Sequence, residues 1–180
     1  MEMKGERIIR ASRAEVWQAL NSTEVLEASI PGCEEFEKTD ENRYEARVFQ
    51  KIGPVKARFT CIVELSDIVP GESYTISGEG KGGAAGFAKG AAHVRLEDHP
   101  EGCRLVYEAE ARVGGKLAQL GSRLIDGFAK KMADEFFTRF QEAVEPPPPE
   151  EETAEEEAAE GEEEGTRRKR GWFRRLVGAK

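Results

Sequence analysis

From Tyr44 to Val113 apolar residues recur at every second position, and from Leu117 onward they recur at every third or fourth. This change of period constrains the fold more than any other feature. Alternation sends successive side chains to opposite faces of a strand, so repeated runs of it build a sheet with one dry and one wet face. Five segments show the pattern: Tyr44, Ala46 and Val48; Val55 to Leu65; Tyr74, Ile76 and Gly78; Ala88 to Leu96; and Cys103 to Val113. Pro70-Gly71 and Pro100-Glu101-Gly102 mark tight turns between strands.

Gly114-Gly115 opens the helical stretch. Leu117, Leu120, Leu124, Phe128, Phe136 and Phe140 follow, with Met132 on the same line and Gly121 and Gly127 interrupting it. No further strand pattern appears. Near the start, Ser12 and Glu15 match a capping box, and Val16, Trp17 and Leu20 give a short helix an apolar face. Residues 21–30 allow a second short helix, stopped by Pro31-Gly32. The predicted class is α+β: a curved antiparallel sheet wrapped around a long C-terminal helix, with two short N-terminal helices.

The chain then changes character. Four prolines, Pro146 to Pro149, end the folded pattern, and residues 150–164 hold ten Glu and no base. Residues 166–180 hold seven Lys or Arg, no acid, and Trp172, Phe173, Leu176 and Val177. Of the net charge of −8, the ten negative and seven positive charges of these segments leave −5 for residues 1–145. Three parts are expected: a ligand-binding domain over 1–145, a disordered Pro/Glu-rich linker over 146–165, and a basic amphipathic tail over 166–180. As a helix, the tail would gather its apolar residues on one face. Arg167, Arg168, Lys169, Arg170, Arg174 and Arg175 would flank Trp172, Phe173, Leu176 and Val177, which suits anionic membrane lipids. The competing reading is a tail docked on its own acidic arm. Nucleic acid is disfavoured, because the glutamates would repel phosphate and the apolar stripe has no role there.

The N-terminal decapeptide lacks the apolar core of a signal peptide, and no run of about eighteen apolar residues exists. Cys33, Cys61 and Cys103 are odd in number and widely spaced, as in a reduced cytoplasmic protein. The inward strand positions include Ala57, Cys61, Gly78, Gly80, Ala88, Gly90, Ala92, Ala109 and Ala111. So little volume means either close helix packing or a cavity; pattern alone leaves both open.

Gly78 to Gly83 reads GEGKGG, but the residues after it alternate as a strand, whereas a dinucleotide site needs a helix there. His93 and His99 lack cysteine partners, and no metal-ligand spacing occurs. No catalytic residue and no metal ligand is assigned.

The segments ASRAEVWQALNSTEVLEASIPGCEEFE, GPVKARFTCIVELSDI, SGEGKGGAAGFAKGAAHVRLE and VGGKLAQLGSRLIDGFAKKMADEFFTRF, in that order, resemble the G-subunit family of carbon monoxide dehydrogenase. That family belongs to the START-like (SRPBCC) superfamily, with its helix-grip fold. The resemblance implies an accessory protein that helps attach a molybdenum carbon monoxide dehydrogenase, or a related molybdenum hydroxylase, to the cytoplasmic membrane. It implies a hydrophobic small-molecule ligand between sheet and helix. Phe59, Cys61, Tyr74, Ile76, Leu105, Tyr107, Leu117, Leu120, Gly121, Leu124 and Phe128 fall where that cavity would be. With no covalently bound cofactor expected, an isoprenoid quinone is the ligand that would link a soluble redox enzyme to the respiratory chain. The expected place is the cytoplasmic face of the cell membrane, as a peripheral protein. Two alternatives stay open: a plain membrane anchor or assembly factor with a filled core, and a START-like cyclase or hydrolase using Tyr74 or Tyr107.

Overall fold

The computed structural model describes residues 1–146; the rest of the acidic arm and the basic tail lie outside the described residues. Met1–Glu145 forms one compact unit. Seven strands make a single antiparallel sheet: β1 (Glu2–Ile9), β2 (Cys33–Asp40), β3 (Arg43–Ile52), β4 (Val55–Val69), β5 (Ser73–Lys81), β6 (Phe87–His99) and β7 (Gly102–Gly114). The order across it is β1-β7-β6-β5-β4-β3-β2, a meander whose first strand folds back onto its last. A register shift between Ser66 and Val69, with Asp67 at φ 51°, bends β4 against β5. Four helices accompany the sheet: α1 (Arg13–Leu20), α2 (Thr23–Ser29), α3 (Lys116–Gln119) and α4 (Ser122–Val144). With α4 laid across the curved sheet, the architecture is the helix-grip α+β fold.

The five alternating segments are β3 to β7, with the alternate apolar positions buried or half-buried and most of the charged ones exposed. The capping box is present: the Glu15 N–H donates to the Ser12 hydroxyl at 3.1 Å and the Ser12 N–H donates to the Glu15 carboxylate at 3.0 Å. The two edge strands were hidden by their composition. In β1 the sheet-side positions include Gly5 and Arg7, and Arg7 pairs with Asp134 of α4 at 2.8 Å while standing over the Phe137 ring. In β2 four of the eight residues are acidic and only Cys33 and Phe36 are half-buried. Exposed edges favour such charges, because they discourage pairing with another chain. The helical stretch is also not continuous. Gly121 at φ +93° breaks it into α3 and α4, a conformation a side chain would strain.

Two core clusters fill the space between sheet and α4. The larger joins Ile9, Val16, Leu20, Tyr74, Leu96 and Leu105 to Phe137 and Phe140, at the end where α1 and α2 lie and α4 finishes. That end of α4 is tied down by Glu145, which accepts from the Arg10 N–H at 3.0 Å and its guanidinium at 3.1 Å. The smaller cluster joins Ile52, Phe59, Ala85, Leu117 and Ile125, where α4 begins.

Candidate functional site

Over the smaller cluster the interior opens. A groove of about 590 Å3 runs between the β3–β4 turn and the first half of α4, lined by Ile52, Gly53, Leu120, Arg123, Leu124, Gly127, Phe128 and Lys131. The size suits a small organic ligand. Each wall has a local cause. The turn at Gly53 (φ +59°) brings the backbone so near α4 that an added Cβ would sit 2.8 Å from a Leu124 methyl. On the helix, Gly127 removes a side chain where one would otherwise project, and an added Cβ there meets nothing within 4 Å. Leu124 is 38% exposed, so its apolar side chain forms the lip and not the core. The lining is therefore apolar with two cations at the edge. Among the described residues, neither Arg123 nor Lys131 makes an ion pair, whereas Lys130 on the next position pairs with Asp134 at 3.5 Å.

Small residues on the sheet do not all leave space. At Gly82 an added Cβ would come within 2.6 Å of the Phe59 ring, and at Gly80 within 3.0 Å of the Cys61 sulfur. Here the neighbours occupy what the glycines omit. Burial pushes the Cys61 thiol up from its ordinary value, as expected of an inert, protonated side chain.

The eleven residues expected around a ligand divide between the two clusters. Leu120, Leu124 and Phe128 line the groove, and Gly121 precedes the first turn of α4 beside it. Phe59 and Leu117 are buried in the cluster beneath, with Cys61 packed against it. Tyr74 and Leu105 are buried in the larger cluster, with Ile76 and Tyr107 packed against it. The groove residues Ile52, Gly53, Arg123, Gly127 and Lys131 were not among the eleven. Gly127 is visible in the sequence as a break in the helical line. The two cations carry no periodic signal, because charged residues are ordinary on a helix surface.

Tyr74 lies in the larger cluster and not in the groove. It is 2% exposed, with its ring against Trp17 at 5.2 Å. Burial, then the neighbouring Tyr44, pushes its hydroxyl above the ordinary tyrosine range, and no hydrogen bond offsets that. Such a phenol stays neutral and cannot serve as a base near neutral pH. His93 lies exposed on the outer face, 3.3 Å from the Thr75 hydroxyl, and the GEGKGG segment leads into one 3-10 turn, Gly83–Ala85, not an α-helix. No group of His, Cys, Asp or Glu among the described residues is arranged to hold a metal ion.

A family model describing the G subunit of carbon monoxide dehydrogenase (CoxG) matches residues 5–145. Among solved structures, a conserved protein from Geobacillus kaustophilus is 31% identical with a TM-score of 0.75, over 80% of this chain and 95% of its own. A protein from Thermus thermophilus is 18% identical with a TM-score of 0.62, over 80% and 97% of the two chains. Ara h 8.0201 is 14% identical with a TM-score of 0.57, also over 80% and 97%. The last two share the fold alone. No curated protein matches the chain.

Proposed function

The chain belongs to the CoxG family of carbon monoxide dehydrogenase, and on that premise we propose that it is a non-catalytic accessory protein. It recruits a molybdenum carbon monoxide dehydrogenase-type enzyme to the cytoplasmic face of the cell membrane, and its groove takes the head of an isoprenoid quinone. The observation that carries the ligand reading is the apolar groove beside α4, with two cations at its rim. A quinone has a planar apolar ring with two carbonyl acceptors. An apolar trough suits the ring, and a cationic rim suits the carbonyls. The absence of an assigned acid–base pair fits carriage better than catalysis. The basic tail supplies attachment, through arginines near anionic lipid and aromatic residues at the interface.

The plain-anchor alternative draws support from the larger cluster, where Tyr74, Leu105, Phe137 and Phe140 fill the sheet–helix space. Reconstitution separates the two. A purified partner enzyme is mixed with anionic vesicles carrying an isoprenoid quinone, with and without this protein. Quinone reduction that depends on the protein is the expected result. An enzyme that sediments with the vesicles yet reduces quinone no faster leaves only the anchor.

A further inference from the structure

In an antiparallel meander the connections go alternately to the two ends of the sheet, and here the charges divide with them. One end carries the β3–β4 turn, the β5–β6 turn and the passage from β7 to α4. Phe36, Ala46, Cys61, Gly80, Ala88 and Val113 lie in one row across β2 to β7, and on the groove side of that row segments 33–36, 46–61, 80–88 and 113–125 hold seven Lys or Arg and two carboxylates, Glu34 and Glu35. On its other side segments 37–45, 62–79 and 89–112 hold thirteen carboxylates and six Lys or Arg. Both carboxylates are paired, Glu35 with Arg47 and Glu34 with Arg58. The other five cations make no ion pair among the described residues. Lys51 and Lys56 even stand opposite each other in the β3–β4 ladder, a like-charge pairing that disfavours the sheet.

These connections also touch. Gly53 meets Leu124, and Gly86 meets Gly114 and Gly115. They surround the end where the groove opens. Exposed apolar side chains stand among the cations: Phe87 at 42% and Leu124 at 38%. Cations with no internal partner, mixed with apolar groups, match a surface that is anionic outside and apolar beneath.

We propose that this basic end of the domain is a docking face for an anionic bilayer, placed so that the groove opens against the lipid. The proposal rests on the membrane reading above, but not on the tail. α4 carries the chain about 35 Å from the groove end before residue 145, and the face is built by the domain's own residues. An acidic opposite end turns the domain in the same sense, since it is repelled by the lipid that attracts the basic end.

The test is sedimentation of the full chain with phosphatidylglycerol–phosphatidylcholine vesicles. Lys51, Lys56 and Lys116 are exposed and lie outside the groove lining, so Lys51→Glu, Lys56→Glu and Lys116→Glu are combined in one variant. Trp172→Ala with Phe173→Ala forms a second variant, and all five substitutions a third. Loss of three cations near such a surface, at about fivefold each, weakens partitioning roughly a hundredfold, and the three reversals, which also add three repelled charges, are expected to exceed that. The corresponding Gln variant folds with smaller electrostatic change and is expected to lose less, and neutral vesicles should show no difference. If the tail variant loses binding while the reversals leave the parent's binding unchanged, the face is not a docking site and the tail reading stands alone. If the reversals weaken binding and the tail variant binds like the parent, the face stands and the tail reading fails. Reversals that strengthen binding would mean the face is occupied by the chain's own glutamate run, which overturns the proposal.

Discussion

The two halves of the interior are made of the same materials and serve different ends. Around Phe140 the strands present large side chains, Tyr74, Leu96 and Leu105, and α4 answers with Phe137 and Phe140. Around Phe128 the strands present Ala57, Cys61 and Val113 beside Ile52 and Phe59, and α4 answers with Ile125, Gly127 and an outward Leu124. Both halves obey the alternation of the sheet. The difference is volume: one half is closed by aromatic side chains and by α1 and α2, while the other is left as a groove. A fold of this kind can gather its stability at one end and leave space at the other.

The contrast breaks most visibly under truncation. Phe140→Ala, at 0% exposure, should cost about 3 to 5 kcal/mol. Leu124→Ala, on the groove lip, should cost less, about 1 to 2 kcal/mol, because 38% of that residue stays exposed. Denaturant unfolding of the two variants is the check; equal losses would mean that the groove end is packed like the rest. The next effect comes from the closed half's helical lid. Ser12→Ala removes the capping hydroxyl of α1 and should cost about 1 kcal/mol in the same assay. In the groove half the sign reverses. Gly127→Leu places a side chain into open space on a helix, so it should raise stability by up to about 1 kcal/mol while filling the groove. A loss of several kcal/mol there would contradict the groove. Gly121 is a poor probe of the same point, since its φ of +93° penalises any side chain whatever the space.

The smallest effect is electrostatic. Burial raises the Glu145 carboxyl, but the Arg10 N–H, the Gln141 amide and the Arg10 guanidinium outweigh it and hold it below the ordinary carboxylate range. A depressed folded value means stabilisation that is complete above the unfolded value of about 4.3 and lost as pH falls through the folded value. Glu145→Gln should therefore be less stable than the parent at neutral pH, by a few tenths of a kcal/mol up to about 1 kcal/mol. The gap should close in acid. A gap that widens as pH falls has the wrong sign for this account.

Most of the fold was legible because half-buried antiparallel strands must alternate, and β3 to β7 do. The edge strands were not legible, for a physical reason. β1 and β2 place Gly5, Arg7 and several glutamates where a central strand would carry apolar residues, since an edge has water on one side. The break at Gly121 was visible only as a glycine in a helical line, and its positive φ is a tertiary outcome. At the site, Leu120, Leu124 and Phe128 could be read from helical spacing. Tyr74 and Leu105 looked equivalent to them in pattern, yet lie in the closed half, because periodicity gives the face of a strand and not the position along the groove. Arg123 and Lys131 gave no warning, since nothing in a sequence distinguishes a rim cation from any exposed one.

The central claim is that the open half holds an isoprenoid quinone. It is tested most directly by organic extraction of the purified full chain and its Gly127→Leu variant, with mass spectrometry of what is released. The account predicts an isoprenoid quinone from the parent, near one per chain when quinone is supplied, and little from the variant at equal or higher stability. No apolar molecule from the parent after such supply, or the same amount from both proteins, would contradict it.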